Sequence, residues 1–369
     1  MRQSPMVSGQ ARVLLLTKYG RRAAATRFRV LQYLPFFQAA GLEVEVRPLL
    51  GDRYLEQRLV RGRRGTFEAI RGITGRLLSL ADVRQASLVV IYMEALPYLP
   101  PFFERALARL GVPYVYDFDD ATFHQYDQHS NPVVRTLFSN KIGQVIAGAT
   151  LVTAGNEYLA DYARRFNRTV EIVPTVVDTE VFSPGAGREP VTRPVIGWIG
   201  SPSTAQYVAD RASLWERITA EERSVLRLVG AGPAAMRLAG VEHRAWSEET
   251  ETAEVRNFDV GIMPLRDDPW SRGKCGFKLI EYLACGVPAV ASPVGVNARI
   301  VAHGENGFLC RTDEEWLAAL RQLVRDPDMR RAFGEAGRRI VRDHWSLQHW
   351  GPRVASLLAR AAGVEDRAA

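Results

Sequence analysis

Ser271-Arg-Gly-Lys-Cys-Gly-Phe-Lys-Leu-Ile-Glu-Tyr-Leu-Ala-Cys-Gly-Val-Pro-Ala-Val-Ala-Ser-Pro-Val-Gly295 runs from a basic, glycine-rich loop through a short helix into an apolar strand. The spacing predicts the helix over Gly276 to Ala284, ended by Gly286 before Pro288 opens the strand. The first N–H groups of a helix have no carbonyl one turn earlier and sit at the positive end of its dipole. With Lys274 and Lys278 nearby, this helix start suits a diphosphate. Glu281 follows Lys278 by three residues, on the same face one turn along, where a carboxylate can accept both hydroxyls of a ribose. The same spacing also describes an exposed Lys/Glu pair after an ordinary loop, because short glycine motifs often match by chance.

Working outward, short runs of Val, Ile and Leu alternate with segments of helical period, the pattern of parallel βαβ units. The strands are expected at Val13–Thr17, Glu43–Pro48, Leu88–Tyr92, Tyr114–Asp117, Leu151–Ala154 and Val170–Val173, then at Val195–Ile199, Val225–Val229, Val260–Met263 and Ala289–Ala291. Between the two sets, residues 184–194 are rich in Gly and Pro and lack apolar periodicity, which reads as a linker. The expected organisation is α/β: residues 1–183 form an acceptor-binding doubly wound domain and 195–340 a donor-binding one. A helical tail over 341–369 packs back toward the first domain. Open sheets of this kind bind ligands beyond the carboxyl ends of their strands, so two facing each other make a cleft.

The 369-residue length suits two domains, and 47% hydrophobic with 24% charged residues excludes a disordered or fibrous chain. No run approaches the roughly 20 apolar residues of a spanning helix, and no long hydrophobic region follows a basic start, so neither a membrane span nor a signal peptide is expected. The cysteines Cys275, Cys285 and Cys310 are odd in number and confined to the last third, which fits a reducing cytoplasm and supports neither a disulfide framework nor a metal site.

Of the net charge of +7, residues 1–185 carry 23 Lys+Arg against 17 Asp+Glu, hence +6. Nine arginines lie between Arg47 and Arg84, interleaved with Tyr54, Leu55, Leu59, Phe67, Ile70, Leu77 and Leu78. Two readings fit: peripheral attachment to an anionic membrane, or a solvated arginine-rich helix in a chain with only four lysines. Nucleic acid is not expected as a partner, since no helix-turn-helix, zinc-finger or RNP-like pattern surrounds the basic stretch.

Residues 258–309 resemble the donor-binding signature of family 4 glycosyltransferases, which have the GT-B fold: two Rossmann-like domains and a nucleotide-sugar donor. That signature reads E-G-F-G-x-x-x-x-E, then A-x-G-x-P-V-V-A-S and N-G-F/L-L. The resemblance places Gly276 on its second glycine, Phe277 and Lys278 on the residues whose amides hold the donor phosphates, and Glu281 on the ribose-binding glutamate. The first glutamate, which contacts the transferred sugar, is Gly273 here. Pro174-Thr-Val-Val-Asp-Thr-Glu-Val-Phe-Ser-Pro184 resembles the segment ahead of the family's linker. Ile196-Gly-Trp-Ile-Gly-Ser201, with Gly200 and Ser201, sits where the family has an arginine and a following lysine that clamp the pyrophosphate. This chain has Trp198 there and no lysine, so neutralisation falls to Lys274, Lys278 and Arg272. Gly230-Ala-Gly232 resembles the turn near the nucleobase, and Trp246 either stacks on that base or packs inside.

Gly20 ends the first strand where the family's glycine-rich loop passes the donor, and Arg27 and Arg29 follow, either facing an anionic ligand or solvated on a first helical turn. Tyr116-Asp-Phe-Asp-Asp120 crowds three carboxylates at a strand end. Like charges this close resist joint ionisation, which suits Asp119 or Asp120 to catalytic work, with helix capping as the competing explanation. In the family a histidine commonly faces the transferred sugar near this strand; Asp119 or Asp120 is expected in that space, with His124 four residues on. The implied reaction is metal-independent transfer with retention of anomeric configuration to a glycan, lipid-linked or small-molecule hydroxyl, with Asp119, Asp120 and Lys278 as catalytic groups and no cofactor beyond the donor. A catalytically inactive sugar- or lipid-binding relative is the alternative. A nicotinamide-dependent oxidoreductase lacks its signature, because no G-x-G-x-x-G follows the first strand.

Overall fold

The computed structural model describes residues 11–55, 66–185, 193–232 and 240–364, which fall into two compact units: Met1–Thr175 with Trp350–Ala369, and Val176–His349. Most of the 184–194 segment lies outside the described residues, as do Leu59, Arg61, Arg63 and Arg64.

In the first unit β1 (Ala11–Tyr19), β2 (Leu42–Leu50), β3 (Leu88–Tyr92), β4 (Tyr114–Phe118), β5 (Leu151–Ala154) and β6 (Val170–Ile172) form one parallel sheet ordered β2-β1-β3-β4-β5-β6. Every residue of β3 and β4 is buried, which is why β3 reads as an unbroken apolar run and β4 departs from one only at Asp117. Pairing of β3 with β4 sets Tyr92 opposite Asp117, so the carboxyl ends of the central strands bring together side chains far apart in sequence.

Helix α1 (Ala24–Arg29) follows β1, and its arginines are not solvated on a first helical turn: Arg27 and Arg29 are both buried. Arg29 is ion-paired through Nε and Nη2 to Asp117, and its Nη1 donates to the Val173 carbonyl at 2.6 Å. Burying a guanidinium is tolerated because carboxylate and carbonyl replace its lost water. Within α2 (Thr66–Leu78), Arg76 is also buried and donates to the carbonyls of Thr17 and Arg47, while Arg47 pairs with Glu45 and Asp82. Of the nine arginines, Arg76 is therefore an internal brace and Arg47 a half-buried one.

The second unit holds β7 (Val195–Ile199), β8 (Val225–Val229), β9 (Val241–Arg244), β10 (Val260–Met263), β11 (Ala289–Ala291) and β12 (Gly307–Leu309), parallel and ordered β12-β11-β10-β7-β8-β9. The sequence reading missed β9 and β12, the two edges. One face of the sheet is closed by a cluster containing Trp198, Trp215 and Trp316, the last two edge to face at 5.8 Å. The other face carries α3 (Phe277–Ala284), the helix expected from the opening stretch, with Gly276 as its left-handed N-cap at φ 68°.

Candidate functional site

Helix α3 is fixed before any ligand arrives. Leu279 to Ala284 are all buried, and the Tyr282 hydroxyl accepts from the Ile199 N–H at 3.2 Å, joining the helix to the end of β7. The first turn therefore points its amides at a set place beyond the strands. Gly276 cannot be replaced there without cost: its φ is positive, and a Cβ would stand 2.3 Å from Ile300 Cδ1.

Gly200 follows β7 immediately. A Cβ on it would come within 2.7 Å of Trp198 Cη2 and 2.8 Å of Lys278 Cε, so Lys278 reaches from α3 across the end of β7 and lies against this backbone. Its Nζ sits 5.5 Å from the centre of the Trp198 ring. Gly230, at φ 76°, has the Gly200 carbonyl 2.3 Å and Trp246 Cβ 2.9 Å from where its own Cβ would be; Gly232 faces Pro202. Thus Gly200, Ser201, Gly230, Gly232, Trp246 and Lys278 converge on one corner, with Glu281 one turn further along the same helix, buried at 2% exposure. Trp246 is half-buried rather than interior, and its Nε1–H donates to Glu251 at 3.1 Å.

The other basic candidates have different surroundings. Lys274 Nζ lies 5.8 Å from the Trp270 ring, and exposed Arg272 pairs with Asp267 at 2.7 Å. Gly273 caps the short helix Pro269–Arg272.

In the first unit, Gly20 turns closely around Asp52, whose Oδ1 would stand 2.5 Å from a Cβ there and accepts from the Arg22 N–H. The three aspartates take different partners. Asp117 is held by Arg29 and by the Thr153 hydroxyl at 2.6 Å, which makes it structural. Asp119 accepts from the Tyr92 hydroxyl at 2.6 Å. Burial, then the charge of Asp120, pushes the Asp119 carboxyl up to about 7, against the opposing pull of Arg29 and the Tyr92 hydrogen bond. The following helix, His124–Asp127, has Phe123 at its N-cap position with no side-chain cap from that residue. His124 is engaged at both nitrogens, Nδ1 with Asp127 at 2.8 Å and Nε2 with the Tyr158 hydroxyl at 2.9 Å.

Sequence reasoning missed Tyr92 and a buried group in which Lys141 Nζ meets Glu94 at 2.7 Å and the Tyr126 hydroxyl at 3.2 Å. A single lysine among apolar helix positions was the available signal.

The family description "Glycosyl transferases group 1" matches residues 193–326. A D-inositol 3-phosphate glycosyltransferase of Stackebrandtia nassauensis is 30% identical over 312 residues, 72% of this chain and 66% of that protein. The GDP-mannose-dependent alpha-(1-6)-phosphatidylinositol monomannoside mannosyltransferase of Mycolicibacterium smegmatis is 28% identical over 270 residues, 64% of this chain and 68% of that one. The chain is a family 4 glycosyltransferase. Its fold agrees: sucrose-phosphate synthase from Thermosynechococcus elongatus superposes with a TM-score of 0.71 at 15% identity, covering 96% of this chain and all of that one. The Anabaena protein HepE, solved with UDP-glucose, gives 0.69 at 14%, covering 95% of this glycosyltransferase and all of HepE.

Proposed function

We propose that this enzyme transfers a sugar from a nucleoside-diphosphate sugar to an alcohol with retention of anomeric configuration and without a metal. The second unit holds the donor and the first unit presents the acceptor. The observation that carries the reading is the convergence of Gly200, Gly230, Lys278 and the α3 start on one corner; on this reading Trp246 takes the base and Glu281 the ribose. An ammonium and helix-end amides neutralise the leaving diphosphate in the role a metal serves elsewhere. With front-side attack, the departing phosphate oxygen takes the acceptor's proton. The product's anomeric proton coupling in NMR tests retention, and unchanged turnover in excess chelator tests metal independence.

Because relatives are named for GDP-mannose and structural neighbours were solved with UDP or UDP-glucose, calorimetry begins with GDP and UDP and their sugar conjugates. Against whichever binds, Glu281→Ala is expected to weaken affinity by about 1–3 kcal/mol, the worth of a charged hydrogen bond. Unchanged affinity in a folded variant removes Glu281 from the site.

The acceptor proposed is an inositol-bearing headgroup at a cytoplasmic, anionic membrane surface. Helix α2 leaves Phe67 75%, Ile70 60% and Leu78 69% exposed, with Arg71 also exposed among them, a pairing of apolar and basic side chains that suits an anionic lipid interface. A relative named for a phosphatidylinositol monomannoside supports it. No described helix is long and apolar enough to cross a membrane. Binding to phosphatidylinositol-containing vesicles should fall several-fold between low and physiological salt, as charge is screened within about 8 Å. Phe67→Ser with Ile70→Ser should abolish it while leaving nucleotide affinity intact. A wild type that ignores such vesicles points to a soluble inositol phosphate.

A further inference from the structure

The family's arginine and lysine behind the donor pyrophosphate are missing here: Pro194 to Arg211 contains no basic residue before Arg211 itself, and Arg211 is committed to Asp313. At the place of that arginine stands Trp198, at 2% exposure within the apolar cluster of the second unit. Its ring reaches past the end of β7, where Gly200 leaves room for it and for the Lys278 stem together. Lys278 Nζ lies over the indole at 5.5 Å.

We infer that Trp198 is a positioning residue: its indole face holds the Lys278 ammonium at the diphosphate, so that one lysine on an aromatic platform does the work of the absent pair. An indole is the best of the aromatic faces for a cation, and it attracts the charge without neutralising it or competing as an anion would. A fixed ring also removes rotamer freedom that an unsupported lysine loses on binding. The inference rests on the donor site proposed above.

The test is a graded series. Trp198→Phe should lower affinity for the preferred nucleoside diphosphate about 2- to 3-fold and Trp198→Leu about 5- to 10-fold. Affinity for the parent nucleoside, which lacks phosphates, should stay unchanged in both. In a Lys278→Ala background, Trp198→Leu should add nothing further. Parallel losses for nucleoside and diphosphate, or full additivity with Lys278→Ala, would overturn the inference by making Trp198 a packing residue only. A readout needing no Trp198 variant is the NMR signal of the 13C-methylated lysines, with the Lys278 resonance assigned by its loss in Lys278→Arg. It should be displaced upfield by the indole ring and move on adding nucleoside diphosphate. An undisplaced Lys278 signal refutes the platform. Wild type that binds no nucleoside diphosphate refutes the donor site instead, and the ring-current shift still decides whether the platform exists.

Discussion

Asp119→Asn is expected to cut turnover by about 10²-fold, the scale for misplacing a reacting group, because Asp119 orients the acceptor hydroxyl whose proton the departing phosphate takes, while nucleoside diphosphate affinity stays within about 2-fold. Two neighbours divide the three carboxylates of this strand end. Asp117 is consumed by Arg29 and Thr153, whereas Asp119 keeps its hydrogen bond to the neutral Tyr92 hydroxyl. With its carboxyl pushed up to about 7 by burial and by Asp120, Asp119 changes protonation in the working range. If its carboxylate form steers the acceptor hydroxyl, the wild-type rate falls as pH drops through about 7, and the Asn variant loses that limb of the profile. Asp120→Asn should move the limb downward, since one repelling charge is gone.

Stability carries the opposite sign. A carboxyl whose folded pKa exceeds its unfolded one favours folding below the unfolded value of 3.8, and that contribution is lost as pH rises toward about 7. The Asn variant should therefore show a flatter dependence of melting temperature on pH across that window. Equal turnover in folded Asp119→Asn would exclude the residue from the chemistry.

How much of this was legible beforehand follows from where the information lies. The central strands announced themselves because burial on both faces demands apolar residues throughout, and the expected β3, β5, β7, β8, β10 and β11 have the observed bounds. The edges escaped. Val241-Glu-His-Arg244 pairs on one side only and leaves His243 and Arg244 exposed, so nothing compels an apolar pattern; β12 is three residues long. The part of the proposed donor corner that was readable is α3 with Gly276 and Gly286, which are contiguous in sequence and end the helix at either side. The network around Asp119 was not, since Arg29, Tyr92 and Asp117 are brought together by the β1-β3-β4 order rather than by spacing. Nothing in the spacing named Arg29 as the partner of Asp117.

Lys278→Ala should lower turnover by about 10²- to 10³-fold and nucleoside diphosphate affinity by only about 10-fold, because negative charge grows on the diphosphate as the glycosidic bond breaks. Elsewhere in the family a clamp of two cations would soften the loss of one. Here Arg211 pairs with Asp313, Arg272 with Asp267, and Lys274 lies over Trp270, while Lys278 is seated at the end of β7 beside Gly200. The measurement is the ratio of the two losses, from single-turnover rates and calorimetry on the same preparation. Equal losses would make Lys278 an anchor that binds donor and transition state alike. A turnover loss larger than the affinity loss by about tenfold or more places it at the leaving group. Lys278→Arg should recover part of the affinity and less of the rate, since a planar fork over an indole cannot put its charge where a compact ammonium stands.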